Sequence, residues 1–186
     1  MCSSDLELRR HTLRAKPGQH LSQEGVTLAR RVGETIGPFD RVITSTVPRA
    51  FETAIAMGFA VDEQIEALSE MGKDVDAAFA WPASFATIAQ AVRTSEAIGR
   101  FARAQARLLR SIARMLPEGG AALVISHGGI VEAAAVGCLP EADHAAWGPY
   151  CDCCEGIRLA FNGEQFTGAE ILRVSRAADP PAVFRA

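Results

Sequence analysis

The sequence has no apolar stretch near the roughly 20 residues that a membrane-spanning helix requires. Its first residues, Met1 to Leu8, lack the basic start and apolar middle of a secretion signal. Lysine and arginine form no long run, and the net charge is -3. We therefore expect neither a nucleic acid nor a membrane as a partner. We expect a soluble protein of the cytoplasm.

The five cysteines lack the repeated spacing typical of a structural zinc site. Three of the five cysteines crowd into Cys151-Asp152-Cys153-Cys154, with only Cys138 and His144 nearby as further ligands. This pattern predicts no metal site. We expect instead that the cluster opens a C-terminal strand, with Cys153 and Cys154 pointing to opposite faces as small, partly buried residues.

The chain is long and apolar enough for one globular domain with a real core, since 48% of its 186 residues are hydrophobic. We assign this domain to residues 1–176 and expect a flexible tail over residues 177–186. Apolar runs alternate with segments of helical periodicity, which is typical of an α/β fold. The prediction is a three-layer α/β/α sandwich with a mostly parallel central sheet and a short C-terminal antiparallel hairpin.

The predicted elements follow from periodicity and from turn residues. Strands are expected at residues 6–10, 41–44, 64–68, 121–125, 156–161 and 170–174, the last two forming a hairpin around Asn162-Gly163. Helices are expected at residues 21–36 and 47–58, over a long block at 84–115 with Gly99 as the candidate break, and from residue 130 to 136.

The first predicted strand is unusual because Leu6 and Leu8 are its only clear apolar residues. A central parallel strand should be nearly all apolar. Either the strand begins late, or the native start of the sequence has been replaced, and the sequence leaves both explanations open.

Chemistry-bearing side chains stand where three predicted strands end. His11 follows the first strand, Arg49 follows the second after a short turn, and His127 follows the strand at 121–125. Ligands of open parallel sheets bind outside the carboxyl ends of the strands, so these side chains are expected to share one crevice. By contrast, we expect His20 and His144 at the surface.

This set of side chains suits phosphoryl transfer. A neutral imidazole can attack phosphorus through one ring nitrogen while a backbone carbonyl holds the other nitrogen. The guanidinium groups of Arg10, Arg14 and Arg49 match the geometry of a phosphoryl group, and a protonated His127 would add a further positive charge. Such groups stabilise the negative charge of the transition state.

A leaving alkoxide also needs a proton, which a carboxylic acid can supply. Glu70 follows the short strand that ends at Leu68, and Glu132 lies one helical turn after Gly128-Gly129. We favour Glu70 as the proton donor and keep Glu132 as the alternative.

At these residues the chain resembles the histidine phosphatase superfamily, which includes the cofactor-dependent phosphoglycerate mutases. The family's four motifs occur in the expected order: Arg10-His11-Thr12, Leu21-Ser22-Gln23-Glu24-Gly25, Ser45 with Arg49-Ala50 and Thr53-Ala54, and Ser126-His127-Gly128-Gly129. The resemblance implies that His11 is the phosphorylated nucleophile and that Arg10, Arg49 and His127 hold the phosphoryl group. It also implies that Glu70 is the proton donor.

The sequence departs from the family pattern in three places. Thr12 replaces a glycine, so its side chain must point away from the phosphate or add a hydroxyl contact. Arg14 gives an Arg-His-x-x-Arg pattern similar to the acid phosphatase branch, but Gly128 stands where that branch has an aspartate. The segment from Asp62 to Arg100 is short for a substrate-capping insertion, which favours an open site.

The leading hypothesis is a metal-independent phosphomonoester hydrolase that works through phospho-His11 and needs no cofactor. Its substrate would be a small phosphate ester or a phosphoprotein. The alternatives are a phosphoglycerate-type mutase and a non-catalytic phosphate-binding or interaction module of the same fold. The edge of the predicted hairpin is compatible with a homodimer.

Overall fold

A six-stranded mixed sheet forms the middle layer of the computed structural model, which describes residues 4–77 and 80–174. The sheet has the order β3-β2-β4-β1-β5-β6, and its first four strands are parallel. The strands are β1 (Ser4–Arg10), β2 (Arg41–Thr44), β3 (Glu63–Gln64), β4 (Ala121–Ser126), β5 (Gly156–Phe161) and β6 (Phe166–Leu172). The predicted tail at residues 177–186 lies outside the described residues.

Helices cover both faces of this sheet. They are α1 (Gln23–Gly33), α2 (Pro48–Ala56), α3 (Lys73–Asp76), α4 (Phe85–Thr94), α5 (Glu96–Arg114) and α6 (Ile130–Cys138). Leu123 and Ile125 of β4 pack against α1 and α2, while Ala122 and Val124 pack in the core formed with α4, α5 and α6. This alternation follows from the two-residue period of a strand, and it confirms the predicted three-layer α/β/α fold.

The charged residues of β1 explain its weak apolar pattern. The strand starts at Ser4 and lies in the middle of the sheet, between β4 and β5. Glu7 and Arg9 are each only 4% exposed, and they form an ion pair of 2.9 Å on the sheet face opposite Leu6 and Leu8. Arg158 of β5 contacts the same Glu7 carboxylate at 2.7 Å. Paired charges replace apolar side chains on one face of this central strand.

Several predicted boundaries are wrong. The third strand covers only Glu63–Gln64 and is followed by a 3-10 turn at Glu66–Leu68. The long helical block breaks at Ser95 instead of Gly99, which lies buried inside α5. The last strand begins at Phe166, four residues before the predicted start, because the Asn162-Gly163 turn is tight: the Asn162 side chain accepts hydrogen bonds from the Glu164 and Gln165 amides.

The cysteine cluster lies in the turn before β5, which begins only at Gly156, so the predicted strand position is wrong. Cys154 has a φ of 62°, a left-handed conformation outside the β region of the backbone. Cys151 and Cys154 are buried and Cys153 is half-buried. Within residues 4–77 and 80–174, no three potential ligands among His, Cys, Asp and Glu are grouped as a metal site.

His144 is also placed differently from the prediction. It is 5% exposed, and its Nε2 lies 3.0 Å from the Leu139 carbonyl oxygen. His20 is exposed as expected and pairs with Glu52. Among the helices in the described part of the chain, none has the length and apolar character needed to cross a membrane.

Candidate active site

The register of three adjacent parallel strands brings the site together. Arg10 is opposite Ser126, and Thr44 is opposite Ile125, so β1, β2 and β4 end at one level. The next residues are hydrogen-bonded across the strand ends: the amide of His11 donates to the Ser126 carbonyl at 2.9 Å, and that of Ser45 to the Ile125 carbonyl at 3.0 Å. His11, Ser45 and His127 therefore lie side by side at the carboxyl edge of the sheet.

The His11 ring is held in one tautomer. Its Nδ1 lies 2.6 Å from the carbonyl oxygen of Thr12. A carbonyl can only accept a hydrogen bond, so Nδ1 carries the hydrogen and Nε2 keeps its lone pair. Nε2 accepts a hydrogen bond of 3.0 Å from Nε of Arg49. The nitrogen able to act as a nucleophile thus faces a guanidinium group.

His127 lies against His11, with ring centroids 5.1 Å apart. Its Nε2 is 2.7 Å from the hydroxyl of Ser45, which also accepts a hydrogen bond from the Val47 amide. Ser45 therefore orients the second imidazole. Sequence reasoning recognised Ser45 only as part of a motif. Pairing Ser45 with His127 requires the knowledge that β2 and β4 are neighbours in the sheet.

The three candidate arginines surround His11 but are held differently. Arg49 also contacts the side-chain oxygen of Gln19, a residue that sequence reasoning missed. Arg10 donates to the Cys151 carbonyl at 3.1 Å. Arg14 is anchored to the carbonyls of residues 17 and 18 at 3.2 Å and 2.7 Å, on the loop before α1. Its charge still acts on both His11 and Arg49.

Positive charge and burial dominate the electrostatics of the site. Burial, followed by the charges of Arg49, Arg10 and Arg14, lowers the pKa of His11 to about 4, although its bond to Thr12 opposes this shift. Burial and the neighbouring positive groups lower the pKa of His127 to about 3. The pKa of Arg49 is also lowered, by burial and by the other two arginines. Both rings are neutral near pH 7, in a pocket whose arginines favour an anion.

Thr12 points away from this pocket. Its hydroxyl donates to the Gly25 carbonyl at 3.1 Å, and its amide donates to the hydroxyl of Thr53 at 3.1 Å. Two orientations were expected for the Thr12 side chain, and the structure shows the one that points away from the phosphate pocket. Gly25 also lets the start of α1 lie close to the loop after β1. A Cβ at this position would come within 2.1 Å of the Leu13 carbonyl oxygen.

The two candidate proton donors occupy contrasting places. Glu70 is exposed and follows Ser69, whose hydroxyl accepts a hydrogen bond from the Thr46 amide beside Ser45. Glu132 is fully buried, and its two oxygens accept hydrogen bonds of 2.7 Å from the amides of Gly129 and Cys151. Burial raises its pKa. Glu132 thus joins the start of α6 to the segment whose carbonyl holds Arg10.

An aromatic pair stands beside the site, and sequence reasoning missed it. Trp81 lies over the Arg10 guanidinium, 5.6 Å from ring centroid to Cζ, and packs edge-to-face on Tyr150 at 5.3 Å. Its ring also touches the backbone after His127, because a Cβ on Gly128 would lie 2.4 Å from Cζ2 of Trp81. No periodicity in the sequence connects residues 81, 128 and 150.

Comparisons with known proteins agree with this architecture. A model of the histidine phosphatase superfamily (branch 1) matches residues 7–171. A comparison with curated proteins finds no match.

Three solved structures illustrate the shared fold. The phosphoserine phosphatase of Entamoeba histolytica, in complex with 3-phosphoglyceric acid, has a TM-score of 0.68 and 16% identity, covering 92% of this chain and 98% of its own. A mycobacterial glucosyl-3-phosphoglycerate phosphatase complexed with VO3 has a TM-score of 0.66 and 19% identity, covering 92% and 99%. The phosphoglycerate mutase of Bacillus anthracis str. Sterne has a TM-score of 0.62 and 15% identity, covering 89% and 91%.

Proposed function

Because this chain belongs to the histidine phosphatase superfamily, branch 1, we propose that it is a phosphomonoester hydrolase that works through a covalent phosphohistidine on His11. One observation carries the proposal: the unprotonated Nε2 of His11 faces Arg49 in a buried pocket with an excess of positive charge. A nucleophile, a fixed tautomer and an anion-binding surface are combined in that arrangement.

In the first step, Nε2 of His11 attacks phosphorus, the new N–P bond forms, and the bond from phosphorus to the ester oxygen breaks. Arg49 exchanges its hydrogen bond to Nε2 for bonds to the phosphoryl oxygens, which Arg10 also neutralises. Arg14 adds positive charge to the pocket, whereas His127 is neutral. Glu70 gives its proton to the departing alkoxide. This step needs no metal ion, because guanidinium groups supply the positive charge.

In the second step, a water molecule attacks phosphorus on the opposite side, and the N–P bond breaks. The Glu70 carboxylate takes the water's proton, which restores the acid for the next cycle. His11 returns to its starting tautomer, since Nδ1 has stayed bonded to the Thr12 carbonyl throughout. Inorganic phosphate and the alcohol are the products.

Glu70 suits the acid role better than Glu132 because it is exposed and follows Ser69, which is hydrogen-bonded to Thr46 next to Ser45. Glu132 has both oxygens occupied by backbone amides. Releasing it to protonate an alkoxide would leave two buried amides without acceptors, at a cost of roughly 1–3 kcal/mol each.

A phosphoglycerate-type mutase is the second candidate, favoured by the likeness to the Bacillus anthracis mutase. A mutase keeps the phosphoryl group bound until it is returned to a reoriented product. The exposed Glu70 and the short Asp62-to-Arg100 segment favour access of water, and hence hydrolysis. A coupled phosphoglycerate assay, with and without a bisphosphate primer, separates the two activities.

The test of the hydrolase is turnover of para-nitrophenyl phosphate near pH 6 with EDTA present, beside His11→Ala and the exposed-histidine control His20→Ala. Acid-labile phosphate on the protein is followed by mass spectrometry. We expect EDTA-resistant turnover and a trapped phosphoenzyme in the wild type and in the control. Turnover that survives His11→Ala would overturn the mechanism.

The same assay identifies the acid. Nitrophenolate leaves without a proton, whereas an alkoxide requires one. Glu70→Gln should therefore lower kcat/KM, which reports the first step alone, far more for an alkyl phosphate than for para-nitrophenyl phosphate, and an equal loss of kcat/KM on both would contradict the acid role of Glu70. If vanadate binds but no ester in a broad panel is hydrolysed, the non-catalytic phosphate-binding module replaces the hydrolase. A cytoplasmic location, a small-molecule or phosphoprotein substrate and a homodimer remain predictions.

A further inference from the structure

Trp81 borders the phosphate pocket on two sides. Its ring meets the backbone at Gly128, directly after His127, and it covers the guanidinium of Arg10. In the proposed function Arg10 binds the phosphoryl oxygens, and His127, the residue before Gly128, lies against His11. A substituent that extends from a phosphoryl group on His11 would therefore pass the indole ring.

This ring has an exposed part that the described protein residues leave uncovered. Trp81 is 36% exposed, and the other exposed large apolar residues among the described ones are Ile55 and Met115, neither of which lines the site. Burying an aromatic surface is favourable, so an exposed indole beside a polar pocket is a ready contact for a ligand.

Tyr150 gives this surface a defined shape. Its ring packs against Trp81 with a centroid distance of 5.3 Å and an interplanar angle of 65°. Two rings in edge-to-face contact form a corner in which a third ring can stack on one and meet the other edge-on. An aliphatic chain would gain apolar contact there but would not use the ring quadrupoles.

We infer that Trp81 and Tyr150 form the leaving-group subsite, and that the substrate is a phosphate monoester whose alcohol carries an aromatic ring. The inference rests on the proposed function, because it takes the phosphoryl group to lie on His11. Recognition is divided between the two parts of the substrate. The arginines bind the phosphate, and the aromatic corner selects the group attached to it.

The test compares benzyl, cyclohexylmethyl and methyl phosphate, whose leaving groups are all primary alkoxides. The ratio of kcat/KM values then reports binding of the ring. We expect the wild type to prefer benzyl over cyclohexylmethyl phosphate by about threefold to tenfold. Trp81→Leu should lower kcat/KM for the benzyl ester about tenfold more than for the methyl ester, and Trp81→Phe should keep most of the preference.

Trp147→Phe is the matched control, because Trp147 packs on Phe85 and His144 away from Arg10. It should leave the ratio of benzyl to methyl turnover unchanged. Parallel losses on both esters in Trp81→Leu would reduce Trp81 to a support for Arg10 and overturn the subsite. Equal rates for benzyl and cyclohexylmethyl phosphate would overturn the aromatic preference.

A binding measurement keeps this test separate from the hydrolase itself. The chain has two tryptophans, so Trp147→Phe leaves Trp81 as the single fluorescent reporter. Benzylphosphonate, which cannot be hydrolysed, should bind more tightly than methylphosphonate and change the Trp81 emission. If no ester is turned over but this difference appears, the subsite stands and the hydrolase fails. Equal affinities overturn the subsite.

Discussion

The imidazoles of His11 and His127 are kept neutral by the fold, and this makes stability depend on pH. Their pKa values are lowered to about 4 and about 3, chiefly by burial, whereas in the unfolded chain both lie near 6.5. Below pH 6.5 the two imidazoles bind protons in the unfolded chain but remain unprotonated in the folded chain. The free energy of unfolding must therefore fall as the pH decreases from about 6.5 towards 4 and 3.

We predict that this contribution is on the order of 3 kcal/mol for His11, since one pKa unit corresponds to about 1.4 kcal/mol. Urea unfolding at pH 7, 5.5 and 4 measures it. The double variant His11→Asn/His127→Gln should lose less stability over this range than the wild type, and His20→Asn should match the wild type. Identical pH slopes in the wild type and the double variant would contradict the assignment.

The two glycines after His127 have different reasons to be glycine. Gly129 has a φ of 85°, a conformation that side chains rarely adopt, whereas Gly128 has no positive φ but touches the Trp81 ring. We predict that each change to alanine destabilises the protein by about 1–3 kcal/mol. The cost of Gly128→Ala should disappear in a Trp81→Ala background, while that of Gly129→Ala should persist. Chemical unfolding of the four combinations gives the double-mutant cycle.

At the level of elements, a hydroxyl group ties α2 to the loop after β1. Thr53 is buried, accepts a hydrogen bond from the Thr12 amide and donates to the Arg49 carbonyl at 2.6 Å. It thereby positions the residue after His11 relative to the helix that carries Arg49. This contact sets the distance between the nucleophile and its guanidinium partner.

We predict that Thr53→Val destabilises the protein by about 1–3 kcal/mol, because the Thr12 amide loses its acceptor in a buried place. It should also lower kcat for any ester that the protein hydrolyses, since the alignment of His11 with Arg49 is loosened. Thr53→Ser keeps the hydroxyl and serves as the control. Equal stability of the valine and serine variants, measured by urea unfolding, would show that the contact is unimportant.

Elements with strong local patterns were predicted well, and those set by distant partners were not. The strand at β2 was predicted residue for residue, because Val42 and Ile43 lie between clear turn signals. The predicted third strand failed because only Glu63 and Gln64 pair with β2 before the chain turns. In β1, the charged residues Glu7 and Arg9 are unusual for a central strand. They are accommodated because they pair with each other and because Arg158, opposite Glu7 on β5, pairs with the same carboxylate.

Ligand binding should act on the whole molecule, because the site is assembled from separate parts of the chain. His11 follows β1, Arg49 lies in α2 and His127 follows β4, so unfolding of the sheet destroys the site. A ligand that binds only the folded chain stabilises it by mass action, by about 2.7 kcal/mol at 100 times its Kd. Binding and global stability are thus linked.

We predict that inorganic phosphate or vanadate raises the free energy of unfolding and the Tm of the wild type. The increase should vanish in Arg49→Ala, which removes the hydrogen bond to His11 Nε2. Arg107→Ala, an exposed change on α5, should keep the increase. Thermal unfolding with and without the anion measures the effect, and the same shift in Arg49→Ala would place the anion elsewhere.

The sequence alone determined the order of the strands and of the longer helices, the α/β class and the residues that mark the ends of three strands, but it missed the short helix α3. These are local properties, since periodicity and turn residues act over a few positions. The structure brings His11, His127, Arg10 and Arg49 to the one edge where the sequence placed them.

Only the tertiary structure decided which partners those residues meet. It paired Ser45 with His127, turned Thr12 towards Gly25, bonded the buried Glu132 to the Cys151 amide and set Trp81 against Gly128. Each of these contacts joins segments separated in sequence, and each depends on strand order, register and the path of a loop. A local pattern carries no information on those three quantities, because they arise when the separate elements pack together.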